Sequence, residues 1–234
     1  MFNRKAATLA APVILLAAFP ATAGAQDASA VLAAVQKAMG GQLPASIQVS
    51  GAGSGYQPGK GEQPPAGHFR IENYSQQIDL SQPAVSEKLV RLERPTAGGQ
   101  PSRQTEERQA KVDSPWRDQY LLWTTPYGFL AGALSRSPTV AAETLLGAKY
   151  RVLTFTAPGG GTVRGYINDQ NLIERVRTEF DDPARGKIAY EAVYLDWEAF
   201  GAVKYPTVLI QKQNDQLSRV LIVDKVEATG RRES

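Results

Sequence analysis

Apolar residues recur along this chain with two periods, and the switch between them marks out the elements. Asp27 to Met39 opens on an acid, runs through Ala, Val, Leu, Gln and Lys, and closes at Gly40-Gly41. This order of cap, helix formers and glycine stop predicts one amphipathic helix. Ser46 to Ser50 reads as a strand, whereas Gly51 to Gly67, rich in Gly, Pro and Gln, sustains neither period and reads as a loop. His68 to Leu80 and Lys88 to Arg94 alternate apolar with polar residues and predict half-buried strands. Pro95 to Arg103 reads as a connection leading into a polar, charged stretch from Gln104 to Asp113.

Thr124-Thr125-Pro126 offers a capping hydroxyl and a first-turn proline ahead of Phe129, Leu130, Ala133 and Leu134, which predicts a second helical region. Thr139 to Leu146, closed by Gly147, reads as a short helical piece. From Tyr150 the pattern becomes a strand meander: Arg151 to Thr156, Thr162 to Ile167, Leu172 to Phe180, Ile188 to Leu195, Thr207 to Gln213 and Ser218 to Glu227. The linkers Pro158-Gly159-Gly160-Gly161 and Asn168-Asp169-Gln170-Asn171 supply positive φ angles, so neighbouring strands are expected to pair antiparallel. The expected fold is α+β: one domain over residues 26–234, a curved antiparallel half-barrel with the N-terminal helix and the second helical region on one face. A solid interior and a ligand cavity both satisfy this pattern.

Composition adds exclusions. The 234 residues hold 42% hydrophobic and 21% charged side chains, one His and no Cys. A domain of this size needs no disulfide, and the residue set excludes the usual zinc sites, a thiol nucleophile, iron–sulfur clusters and attached haem. No metal or cofactor is therefore expected. Arg4 and Lys5, the apolar run Ala6 to Phe19 and Ala23-Gly24-Ala25 predict a signal peptide cut after Ala25, and hence a periplasmic or secreted protein. The run is short for a span and is interrupted by Pro12 and Pro20, so no stable membrane insertion is expected after cleavage. Without Arg4 and Lys5, 24 Lys and Arg face 23 Asp and Glu, a balance that argues against nucleic acid and strong binding to anionic lipid.

Candidate chemistry is sparse. His68 stands alone at the start of a strand, and Asp181-Asp182-Pro183 has the form of a turn. Gly51-Ala52-Gly53-Ser54-Gly55 misses the nucleophile-elbow spacing. Glu174, Glu179, Asp181, Glu191 and Asp196 fall among the strands and read as solvent-facing charges; no catalytic site is predicted. Trp116, Trp123, Tyr127 and Phe129 form an aromatic-rich patch suited to core packing or to an apolar ligand. The candidate ligand-binding residues are Trp123, Tyr127, Phe129 and Tyr166.

Several blocks carry a family likeness: Leu122-Trp123-Thr124-Thr125-Pro126-Tyr127-Gly128-Phe129, Thr154-Phe155-Thr156-Ala157-Pro158, Gly165-Tyr166-Ile167-Asn168-Asp169-Gln170-Asn171-Leu172-Ile173-Glu174-Arg175-Val176, Tyr194-Leu195-Asp196-Trp197, and Phe200-Gly201-Ala202-Val203-Lys204-Tyr205-Pro206-Thr207. Over roughly residues 44–226 the chain resembles the non-catalytic N-terminal region of secreted bacterial metallo-β-lactamase-fold hydrolases. Their H-x-H-x-D-H metal signature has no counterpart here, so the resemblance implies no hydrolase activity. By pattern the chain is also similar to the half-barrel carriers LolA and LolB. Two functions are expected from these likenesses. One is a non-enzymatic module holding an apolar or lipid-like molecule between sheet and helices. The other is an accessory domain that docks on a separately encoded hydrolase.

Overall fold

The computed structural model describes residues 23–57, 67–93 and 99–230. The expected leader segment Ala6 to Phe19 lies outside the described residues, as do 58–66 and 94–98. Helix α1 (Ala23–Ala38) buries Ala28, Val31, Leu32 and Val35, one face at helical spacing, with Met39 just beyond its end. It stops where Gly40 and Gly41 turn to φ 119° and 92°. The chain then runs through β1 (Ser46–Gln57), β2 (Gly67–Asp79), β3 (Ala84–Glu93) and β4 (Ser102–Lys111). Two short helices follow, α2 (Trp116–Trp123) and α3 (Pro126–Leu134). Thr125 caps α3 by accepting from the Gly128 amide, and Pro126 fills its first turn. The rest is β5 (Thr139–Leu145), β6 (Ala148–Thr156), β7 (Thr162–Ile167), β8 (Ile173–Asp182), β9 (Gly186–Phe200), β10 (Val203–Gln213) and β11 (Gln216–Thr229).

All eleven strands form one antiparallel sheet, in the order β4-β3-β2-β1-β11-β10-β9-β8-β7-β6-β5. The chain thus builds one half outward to β4, crosses by α2 and α3, and builds the other half back from β5 until β11 closes on β1. Over the described residues the fold is α+β with a curved, unclosed sheet and three helices, in line with the α+β half-barrel expected. The curl is evident from the contacts of one side chain. Tyr120 on α2 stacks on Phe180 of β8 with ring centroids 4.2 Å apart, and its hydroxyl accepts from Arg108 of β4 at 3.4 Å. Those strands are seven positions apart in the sheet and would lie about 34 Å apart if it were flat.

The bend is made in part by β1. The Gly51 to Gly67 stretch was expected as a loop, yet its first seven residues continue the strand. A Cβ at Gly51 or Gly53 would come 2.1 Å from the Ile222 carbonyl oxygen or 2.0 Å from that of Val220. The pairing register shifts between Ser50 and Gly51 against β11, and between Gly51 and Gly53 against β2. Glycine here allows two backbones to approach at a bulged bend, a use that composition alone reads as a turn.

Two further expectations are corrected. The charged stretch Gln104 to Asp113 is mostly strand β4, paired with β3 in unbroken register from Ala84↔Lys111 to Glu93↔Ser102. It is polar because it is a sheet edge, where charge deters pairing with another chain; Lys88–Glu107 and Arg91–Glu106, both at 2.8 Å, tie it across the strands. Thr139 to Leu146 is likewise strand β5 instead of a helical piece. Leu146 and Gly147, at φ 51° and 82°, make a two-residue hairpin turn into β6, so Gly147 ends a turn and not a helix.

The concave interior is aromatic and selectively polar. Glu87 on β3, 3% exposed, accepts from Arg219 of β11 at 2.9 Å and from the Tyr74 hydroxyl at 3.2 Å. The Tyr194 hydroxyl donates to the Thr124 carbonyl, and the Tyr127 hydroxyl to those of Met39 and Lys204. These bonds fasten the helices to the sheet.

Arg219→Met leaves the Glu87 carboxylate buried without its cation, and is expected to cost about 3–5 kcal/mol in urea unfolding; a loss below about 1 kcal/mol would refute a stabilising role for the pair. A second test uses alkali. Burial raises Tyr74, Tyr120, Tyr127, Tyr190, Tyr194 and Tyr205 above their ordinary value of 10.0. A raised folded value gives stability that is intact below the unfolded value and lost as pH rises past it. Tyrosinate absorbance is therefore expected to show these six ionising together with unfolding, well above pH 10; separate earlier titration would contradict their burial.

Candidate functional site

The aromatic residues singled out by sequence are packed inside. Trp123, Tyr127 and Phe129 are 3%, 1% and 0% exposed. Phe129 rests against Gly165, where a Cβ would sit 2.1 Å from its ring, and Trp123 and Phe129 both meet Phe155. Tyr127 lies parallel to Tyr205. Tyr166 is also buried, but on the opposite, helix-free face, against Tyr150. Between α2, α3 and the sheet, the space bordered by Tyr190, Tyr194 and Tyr205 measures about 10 Å³, which no acyl chain fits.

The spacious depression lies at the rim. The β7–β8 ladder ends at Val163↔Thr178, while β8 and β9 continue to Asp182↔Gly186, so β8 has a free side from Glu179 onward. Trp116, at the start of α2, partly occupies that side: its indole N–H donates to the Glu179 carbonyl at 2.6 Å. Its ring lies over Gly161, where a Cβ would come within 1.8 Å. Gln119, 1% exposed, accepts from the Gly159 amide at 3.2 Å and from the Trp123 indole at 3.1 Å, binding the glycine turn to α2. The step leaves an open groove of about 920 Å³. Trp116, Phe180 and Tyr190 form its apolar part; Arg164, Arg177, Lys187, Glu179, Asp181, Glu191 and Asp215 supply charge. None of Trp123, Tyr127, Phe129 and Tyr166 lines it.

Strand register orders that charge. Arg164 pairs with Arg177 and Arg177 with Glu191, in a cross-strand row that Lys212 extends; Glu179, Asp181 and Lys187 follow toward the hairpin end. Glu191, expected as a solvent-facing charge, is 7% exposed because three cations surround it: Arg175 Nη1 at 2.7 Å, Arg177 Nε at 2.6 Å and Lys212 Nζ at 3.5 Å. Burial alone would raise its carboxyl, but the hydrogen bonds from Arg175 and Arg177 outweigh that and hold it below the ordinary value of 4.5. Burial likewise opposes the Arg177 charge, and the Glu191 hydrogen bond reverses the effect.

The other carboxylates have separate roles. Glu174 accepts from the Tyr150 hydroxyl at 2.5 Å, and Glu179 meets Lys187 at 3.5 Å. Asp182 accepts from the Ala184 and Arg185 amides, which is the turn chemistry expected of Asp-Asp-Pro. Asp196 is exposed with φ 53°, and His68 is exposed at the start of β2. Among the described residues no group of three or more His, Cys, Asp or Glu could hold a metal ion. Arg164, Arg177 and Lys187 were not singled out from sequence. Their signal was the same-face charge series Arg175, Arg177, Glu179, Asp181 on β8, facing Glu191 and Lys187 on β9.

The helix-free face continues as two cross-strand rows of aliphatics, Val193–Ile210–Val220 and Leu195–Val208–Ile222. Leu195 and Ile222 are 37% and 51% exposed. No described helix is long and apolar enough to cross a membrane.

Glu191→Gln tests the charge row. A lowered folded value gives stability present above the unfolded value near 4.5 and lost as pH falls through the folded one. The variant is expected to be about 1–3 kcal/mol less stable at neutral pH, with the gap closing in acid below about pH 4. A gap that persists unchanged into acid would show that the carboxylate charge is not its source.

No family model and no curated protein sequence matches the chain. Among solved structures it is similar to a LolA superfamily protein from Nitrosomonas europaea, at 14% identity and a TM-score of 0.44, over 86% of this chain and 93% of that one. It is also similar to a DUF1329 family protein from Desulfovibrio piger, at 11% identity and a TM-score of 0.47, over 87% and 92%. Neither is described as associated with a metallo-β-lactamase-fold hydrolase. Likenesses of this strength transfer no residue's role and no ligand.

Proposed function

We propose that this protein is a non-catalytic binding module, exported with its leader cut after Ala25 to the periplasm or beyond, that holds an apolar or lipid-like molecule in the groove beside α2. The observation that carries this reading is the step at the end of β7. It opens about 920 Å³ beside the rings of Trp116, Phe180 and Tyr190, with the Trp116 ring fixed at its edge. The site stands at the mouth of the half-barrel, since the space deeper between sheet and helices is filled by side chains. Trp123, Tyr127 and Phe129 then serve as the rigid support behind the site, with Trp123 linked to the glycine turn through Gln119.

The test is fluorescence titration of the purified protein with N-phenyl-1-naphthylamine. Saturable enhancement is expected, and Trp116→Ala is expected to weaken it about tenfold by removing an aromatic wall. No enhancement, or equal binding by the variant, would remove the groove from consideration as an apolar site.

A further inference from the structure

The charged residues that line the groove, Arg164, Arg177 and Lys187 with Glu179, Asp181, Glu191 and Asp215, carry no surplus of cations as a set, but they are sorted along the strands. On the helix-free face, away from the hairpin end, Arg164, Arg175, Arg177 and Lys212 cluster with Glu143, Glu174 and Glu191, a local set of four cations and three carboxylates of which Arg164, Arg177 and Glu191 reach the groove. Arg175 is 8% exposed and its Nε is buried with no hydrogen-bond partner. Surplus positive charge that is partly removed from water is costly unless an anion joins it.

The two arginines that border the groove are also held in place. Their guanidinium carbons lie 5.6 Å (Arg164) and 5.3 Å (Arg177) from the centre of the Tyr166 ring, so one aromatic ring contacts both cations. Among described residues, hydrogen bonds to carboxylates take Nε of Arg177, to Glu191, and one Nη of Arg164, to Glu143. A guanidinium carries five N–H donors, so each retains donors at the groove. Of the groove's acids, Glu191 is engaged by Arg177, while Glu179 is matched by Lys187, and Asp181 and Asp215 lie at the hairpin end.

We infer that Arg164 and Arg177 form a site for a phosphate-type oxyanion, either the head group of an amphiphile whose tail lies on Trp116 or a free phosphate. The amphiphile form deepens the proposed binding function and rests on it; the oxyanion site itself does not. Tyr166, a candidate ligand contact from sequence, acts in this arrangement as the platform under the two arginines.

Calorimetric titrations of the purified protein with octyl phosphate, octyl glucoside and inorganic phosphate separate the cases, at two salt concentrations. Octyl phosphate is expected to bind about tenfold more tightly than octyl glucoside. Arg164→Gln with Arg177→Gln is expected to abolish that preference, and added salt to reduce it. Inorganic phosphate binding with the same dependence on both arginines would assign the site to the free ion, and octyl phosphate alone binding would assign it to a head group. The inference is overturned if the double variant keeps the preference, or if the wild type binds neither phosphate compound. Naphthylamine binding with no phosphate preference would sink this inference alone, whereas phosphate binding without naphthylamine binding would sink the apolar groove alone. Should the double variant fail to fold, Arg164→Gln serves, since its partner Glu143 lies on the edge strand β5 with its side chain 34% exposed; it is expected to weaken octyl phosphate binding several-fold, and unchanged binding would count against the site.

Discussion

The architecture turns on Tyr120. A single side chain that stacks on Phe180 of β8 and bonds Arg108 of β4 can exist only if the sheet is rolled, because those strands would otherwise stand about 34 Å apart. Once rolled, the concave face has room for three helices and little else. Tyr194 and Tyr127 direct their hydroxyls to backbone carbonyls at Thr124, Met39 and Lys204, groups that would otherwise be buried polar atoms lacking one partner. Curvature, helix docking and hydrogen-bond satisfaction therefore depend on one another, and a change that flattens the sheet would strand all three.

The rim follows from the same constraint. A rolled sheet with strands of unequal length leaves steps where a short strand ends beside a longer one. Six-residue β7 beside ten-residue β8 and fifteen-residue β9 makes the step that opens the rim groove. Trp116 supplies the hydrogen bond that a longer β7 would have given Glu179, and Gly161 is the residue small enough to admit its ring. The same step lets side chains from both faces of β8 and β9 reach one groove, which is why charged Arg177 and aromatic Tyr190 meet there.

What sequence revealed depended on whether the signal was local. The α1 face, the Thr125-Pro126 start of α3 and the strands after Tyr150 were legible, since period and caps are properties of neighbours in the chain. Gly51 to Gln57 and the charged β4 were not, because glycine at a bend and polarity at an edge acquire meaning only from the strand alongside. Gly147 was misread for a related reason: a glycine after an apolar run ends a helix or turns a hairpin, and pairing with β6 decides which. At the site, Trp116 was visible as an aromatic, but the arginine pair was not, since it is assembled by the register of β7 against β8.

The distribution of polar bonds also settles where exchange with solvent is cheap. To admit a molecule behind α2 and α3, the helices would have to give up the contacts of Trp123 and Phe129 with Phe155 and the tyrosine bonds to Thr124, Met39 and Lys204 together. Burying such aromatics contributes about 1.5–3 kcal/mol each, so that opening approaches the cost of unfolding a small domain. At the β7 step the groove is already open beside the Trp116 ring, whose hydrogen bond to Glu179 can stay in place while a molecule enters. On this frame, access for a molecule at the rim is less costly than access to the interior.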